Sequence, residues 1–199
     1  MERAPLSHSL TGLGTLEIQL VRRRQGEKLF AQLLKEHHYL GYSRPVGEHL
    51  KYLVFAQERP VACLAWSSAP RQLNLRNQFL GRYSKQDPLA LDLIAYNTRY
   101  LLMPWVAVPH LASHLLSRIA RRISADWQRC YGHPIYLLES FVDIERFRGA
   151  CYRAANWICL GRSQGRGTKA PTHQVTCSIK ELWVYPLSAH FREHLLKPS

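Results

Sequence analysis

The sequence predicts a mixed α/β fold: a mostly antiparallel sheet with helices on both faces. Three observations predict it. Tyr100 to Gly161 reads as strand, helix, strand, helix, strand, and a strand that returns parallel through a helix needs a crossover of this size. Lys51–Gln57 and Val61–Ser67 flank the short turn Glu58-Arg59-Pro60, which makes them a hairpin. The 199 residues are 46% hydrophobic and 11% aromatic, enough for a real core and too apolar for intrinsic disorder.

Taken in order, residues 1–15 are polar and Gly-containing and read as a loose lead-in to a single domain over 16–199. Leu16 to Val21 alternates as a first strand, and Arg22-Arg23-Arg24 breaks it. Glu27 to His38 places Leu29, Phe30, Leu33 and Leu34 at helical spacing, with Gly41 as the stop and His37-His38 capping the end. After the hairpin, Asn74, Asn77, Gly81 and Pro88 punctuate an irregular stretch, and Leu89 to Tyr96 reads as helical. Tyr100 to Val108 is a strand, in which Pro104 removes a ladder donor and marks a splayed or edge position.

Pro109 suits a first helical position. From there to Arg129, Ala112, Leu115, Leu116, Ile119, Ala120, Ile123 and Trp127 share one arc of the wheel, the expected core face. Arg118, Arg121, Arg122 and Arg129 share the opposite arc with His114. Ile135 to Val142 is near-continuously apolar, as a strand covered on both faces should be, with Glu139 interrupting it. Phe147 to Asn156 reads as a short helix, Ile158 to Gly161 as a strand, and Ser178 to Leu187 as the last strand.

Lys and Arg number 27 against 14 Asp and Glu, a formal net charge of +13. Such an excess favours polyanionic partners, nucleic acid above all. Arg162, Arg166 and Lys169 lie among glycines in a loop suited to phosphates. With Arg118, Arg121 and Arg122 they would form a nucleic-acid track, with nearby Tyr and Trp stacking on bases. No apolar run reaches the roughly 20 residues of a membrane span. The N-terminal residues lack the apolar core of a signal peptide, and the five cysteines form no CxxC pair. A cytoplasmic protein with reduced thiols is expected. No metal is expected: His110 and His114 lack a third ligand, and His173 with Cys177 is weaker still. Cys151 reads as a buried thiol rather than a nucleophile. There is no GxxxxGK[ST] run; Asp92, Glu139, Asp143 and Glu145 are available as acids without a clear triad spacing, which leaves a two-metal nuclease a weak reading rather than an excluded one.

Several blocks are distinctive: His38-Tyr-Leu-Gly-Tyr42, Phe79-Leu-Gly81, Asn97-Thr-Arg-Tyr-Leu-Leu-Met-Pro-Trp-Val106, Pro109-His-Leu-Ala-Ser-His-Leu-Leu116, Glu139-Ser-Phe-Val-Asp143 and Arg148-Gly-Ala-Cys-Tyr-Arg-Ala-Ala-Asn-Trp157. With Gly161-Arg-Ser-Gln-Gly-Arg-Gly167 and Trp183-Val-Tyr-Pro186, they resemble the Druantia protein A family over residues 16–187. Arg82 stands where the family pattern has Trp. The resemblance implies a role in antiphage defence or beside transposases, with other proteins of such systems as partners. Members in defence operons are expected to be longer, so the resemblance points to a mobile-element relative with the shared domain alone.

The order of elements is also similar to the GCN5-related N-acetyltransferase (GNAT) fold. That resemblance implies an acyl-CoA-dependent N-acyltransferase-like activity, with acyl-CoA between the strands at 100–108 and 135–142. It puts the phosphate-binding loop at Val106, Val108, His110, Leu111, Ala112 and Ser113. The fold's loop reads Gln/Arg-x-x-Gly-x-Gly/Ala; here Ala107, His110 and Ala112 fill those places, so only the last matches. The resemblance makes Tyr152 the acid that protonates the leaving thiolate, and Glu139 is the strand carboxylate available as base. The expected function is an acyltransferase-like protein that acts on or binds nucleic acid. The alternative is a non-catalytic nucleic-acid-binding accessory of a defence system or transposon.

Overall fold

A computed structural model of the chain describes residue 6 and residues 9–82, 89–163 and 178–196. The strands are β1 (Leu16–Leu20), β2 (His49–Ala56), β3 (Arg59–Ser68), β4 (Ile94–Leu102), β5 (Leu137–Asp143), β6 (Ile158–Arg162) and β7 (Lys180–Pro186). Their order in the sheet is β1-β2-β3-β4-β5-β7-β6. The helices are α1 (Glu27–His37), α2 (Asn74–Leu80), α3 (Leu111–Ala120), α4 (Ile123–Tyr131), α5 (Ala150–Ala154) and α6 (Phe191–Leu195). Among the described residues no helix is long and apolar enough to cross a membrane. The chain forms two compact units, Met1–Ser68 with Asn97–Leu115, and Ala69–Tyr96 with Leu116–Ser199.

In the first unit β1, β2 and β3 pair antiparallel. The β2–β3 turn is tighter than the sequence predicts. It consists of Gln57 and Glu58 alone, at φ 49° and 61°. Two left-handed residues give the turn that matches the twist of the strands, although neither residue favours that conformation. From α1, Phe30, Leu33 and Leu34 enter a core with Val21, Leu53, Cys63, Leu101 and Met103. Each such fully buried side chain stabilises the fold by roughly 1.5–3 kcal/mol. Lys51 is also buried; its Nζ donates to Glu27 Oε1 at 2.6 Å and to Tyr42 Oη at 3.0 Å. Within the expected loose lead-in, Leu6 and Leu13 are buried. Leu6 donates its amide to the Trp105 carbonyl and accepts from the Ala107 amide.

The strand read at Tyr100–Val108 is displaced: β4 runs from Ile94 to Leu102. Its polar residues hid it. Asn97 Nδ2 and Thr98 Oγ1 both donate to the Ala65 carbonyl, and Arg99 Nε donates to the Gly41 carbonyl. Leu89–Tyr96 is accordingly not a helix beyond the single turn Leu91–Leu93. Pro104 is exposed and follows the strand. The single helix expected from Pro109 to Arg129 is two helices, α3 and α4, parted at Arg121–Arg122. There the Arg122 amide bonds the Ile119 carbonyl, a tightened turn. Most of the predicted core face holds: Leu115, Leu116, Ile119, Ile123 and Trp127 have no exposed surface and Ala120 is buried, whereas Ala112, in the first turn of α3, is only half-buried.

In the second unit β7 lies between β5 and β6 and pairs antiparallel with both. β5 therefore runs parallel to β6 with a strand inserted between them. The β5–β7 register is regular from Leu137↔Pro186 to Asp143↔Lys180. Leu137, Leu182 and Val184 form one core with Leu80 of α2 and Phe191 and Leu195 of α6. Neither α2 nor α6 was expected from the sequence.

Replacing Gln57-Glu58 by Asn-Gly should stabilise the protein by about 1 kcal/mol, because both residues adopt positive φ at less cost. Urea denaturation measures this; an unchanged midpoint would contradict the assigned turn.

Candidate functional site

Successive residues of a strand face opposite sides of the sheet. On β5, Glu139 therefore faces the side of Leu137, Leu182 and Val184, while Ser140 faces the side of its register partner Trp183. This separates the two catalytic candidates. Tyr152 belongs to the Ser140 face: Ser140 Oγ donates to Tyr152 Oη at 2.8 Å. The Tyr152 ring lies 5.1 Å from Trp157 and 6.3 Å from Trp183, and Trp157 lies 5.8 Å from Tyr185. Tyr152 is thus a largely buried phenol in an aromatic nest, its oxygen accepting from a hydroxyl.

Glu139 has no exposed surface, and neither has its partner Arg76 of α2. Arg76 Nη1 reaches Glu139 Oε2 at 3.3 Å and Oε1 at 3.5 Å. The same guanidinium donates to the Pro70 carbonyl at 2.9 Å and the Arg71 carbonyl at 3.0 Å. Burial pushes the Glu139 carboxyl up to about 7, with Arg76 opposing the shift. Burial also lowers Arg76, and Glu139 opposes that. Desolvation outweighs attraction for both partners. Arg76 was missed because a lone Arg in a seven-residue helix without apolar periodicity gives no sign of burial.

The expected phosphate loop lies in the first unit, at the start of α3. His110 has φ 63° and is exposed. The resemblance aligns this position with a glycine of the acyltransferase loop, and the backbone here takes the left-handed conformation that glycine adopts most readily. Helix geometry leaves the amides of Ala112 and Ser113 without intrahelical acceptors. The other members of the loop contribute less. The Val106 amide donates to the Met103 carbonyl, the Leu111 amide approaches the Val108 carbonyl, and the Val108 and Leu111 side chains are buried. Tyr100 Oη donates to the Ala112 carbonyl at 2.6 Å and fixes the first turn of α3.

Of the basic track, Arg121 and Arg162 are exposed and Arg118 is half-buried. Arg122 Nε donates to Asp126 Oδ2 at 2.7 Å, and Arg129 also binds this buried carboxylate. Arg162 lies 3.7 Å from Glu181. Part of the predicted stripe is therefore compensated locally, by an aspartate on the buried side of α4 that wheel reasoning passed over. Arg166, Lys169, His173 and Cys177 lie outside the described residues. Among the described residues no cluster of three or more metal-ligating side chains occurs.

This architecture is that of the N-acetyltransferases. A GNAT-family acetyltransferase from Streptococcus pneumoniae superposes with a TM-score of 0.53 at 11% identity, over 87% of this chain and 100% of that one. Aminoglycoside acetyltransferase AAC(6')-Ib, solved with coenzyme A and kanamycin, superposes at 0.53 and 13% identity over 90% and 99% of the two chains. A Bacillus subtilis acetyltransferase in complex with CoA gives 0.54 and 8% identity over 87% and 100%. These identities show a shared fold. By sequence, the family described as Druantia protein DruA matches residues 2–186, and the chain belongs to that family. No curated protein matches the sequence.

Arg76→Ala should cost about 3–5 kcal/mol, because it strands a buried carboxylate. A carboxyl held above its unfolded value stabilises the fold fully below the unfolded pKa, and that contribution is lost as pH rises through the folded one. The unfolding free energy of the protein minus that of Glu139→Gln should therefore fall between the ordinary carboxyl value of 4.5 and about 7. His38, pulled down to about 4 by burial with Arg99 adding to it, and His49, lowered by burial, titrate in both proteins and cancel in the difference. A difference that rises over this window would contradict the assigned balance.

Proposed function

We propose that this DruA-family protein binds acyl-CoA and transfers its acyl group in an antiphage or mobile-element system, with nucleic acid as its macromolecular partner. The observation that carries this reading is the left-handed backbone of His110, which keeps the bend of a phosphate loop where the sequence has lost its glycine. The amides of His110, Ala112 and Ser113 would hold the pyrophosphate, and the His110 imidazole would stand beside it. Val106, Val108 and Leu111 would shape the loop rather than bind. Acyl-CoA, when bound, supplies an acyl group activated as a thioester. Acyl transfer of this class would form a C–N bond to an acceptor amine, break the C–S bond and need an acid for the departing sulfur; Tyr152 is the phenol we assign that role on its chemistry.

Glu139 was the candidate base. In this proposal its carboxylate serves as the buried partner of Arg76, and the acceptor loses its proton to another base. The charge of +13 supports nucleic acid as the partner, with Arg118, Arg121 and Arg162 on the binding surface. The cytoplasm and association with other proteins of the system belong to the same proposal.

A second reading has its own support. Tyr152 and Glu139 occupy opposite faces of β5, and an acid–base pair so divided suits a protein that keeps the fold for binding without catalysis.

Coenzyme A and acetyl-CoA should raise the melting temperature of the protein. His110→Gly should keep that shift and add about 1 kcal/mol of stability by relieving the positive φ. Ala112→Pro, which deletes one donor amide at a helical position that tolerates proline, should weaken the shift. No shift in the unaltered protein would overturn acyl-CoA binding. Tyr152→Phe should keep the shift and lower thiol release in the presence of nucleic acid by about 100-fold or more. A shift without any thiol release would favour the binding-only reading.

A further inference from the structure

The loop from β5 to α5 carries Arg146, Phe147 and Arg148, all exposed, and α5 adds the exposed Arg153. Phe147 is 51% exposed and is flanked in sequence by two exposed arginines. The loop is held firmly from beneath. Asp143, 7% exposed, accepts the Glu145 amide on Oδ1 at 3.1 Å and the Ser178 hydroxyl on Oδ2 at 3.0 Å. Its carbonyl accepts the Arg146 and Phe147 amides at 3.2 and 2.9 Å. At the far end Gly149, at φ 65°, lies so close to Trp183 that a Cβ there would stand 2.8 Å from the indole. The Arg153 guanidinium sits 5.7 Å from the centre of that indole.

We propose that Phe147, with Arg146, Arg148 and Arg153, forms a stacking site for single-stranded nucleic acid. An exposed aromatic ring offers a sequence-tolerant platform for a base, and exposed arginines on the same loop and on α5 supply cations for the phosphates of a single strand. Glu145 is the one exposed acid in the loop. Two anchors fix the loop before any ligand arrives, which lowers the entropy lost on binding. This site goes beyond the basic track of Arg118, Arg121 and Arg162, and it rests on the proposal that nucleic acid is the partner.

The test uses a fluorescein-labelled 20-nucleotide oligothymidine, an oligouridine of the same length and a blunt DNA duplex, titrated by anisotropy over a range of salt. Single strands should bind more tightly than the duplex. Phe147→Ala should weaken single-strand binding about 5- to 100-fold, and Phe147→Trp should restore it. Arg148→Ala should lower the slope of log K against log salt by about 0.7. Both positions are exposed, and the melting temperatures of these variants report whether folding is intact. Binding by the unaltered protein that Phe147→Ala leaves unchanged, or equal affinity for duplex, would overturn this site and leave the partner class standing. No binding of any of the three probes would overturn both.

Discussion

The pleat of β5 governs how the second unit can work. One residue separates Glu139 from Ser140, and that single step sends the two side chains to opposite sides of the sheet. One side receives the Arg76–Glu139 pair amid Leu137, Leu182, Val184 and the helices α2 and α6. The other receives Tyr152 and three further aromatic rings. Because β7 continues this register without a bulge against β5, the division runs the length of the strand. The first side is built for stability, with its charges sealed. The second holds a phenol in reach of a hydroxyl beside a tryptophan that also positions Gly149 and Arg153.

The charge of the chain is distributed by the same economy. Buried anions recruit some of the arginines: Asp126 takes Arg122 and Arg129, and Glu139 takes Arg76. These guanidiniums serve the fold first, since a buried carboxylate without a partner is costly. What remains for a polyanion is the exposed set on loops and helix surfaces, so net charge overstates the cations available to a ligand.

Much of the fold was readable because apolar periodicity reports burial directly. Leu115, Leu116, Ile119, Ile123 and Trp127 fell on the core arc of the wheel and are fully buried. The readings failed where polar side chains are satisfied by backbone. Asn97, Thr98 and Arg99 sit in the middle of β4, bonded to carbonyls of other segments, so a strand sought as an apolar run was placed six residues late. The candidate site was half readable. Tyr152 was named from the resemblance and Glu139 as a carboxylate interrupting an apolar strand, but which face each occupies depends on strand register, which one sequence does not contain. His110 is the converse case. As a residue it argued against a phosphate loop, and only its backbone angle restores the argument.

Hydrogen–deuterium exchange with and without acetyl-CoA tests the central claim most directly. The account predicts new protection at the amides of His110, Ala112 and Ser113, with the exchange of α2 around Arg76 unchanged. Exchange at those three amides that acetyl-CoA leaves unaltered at saturating concentration would contradict it.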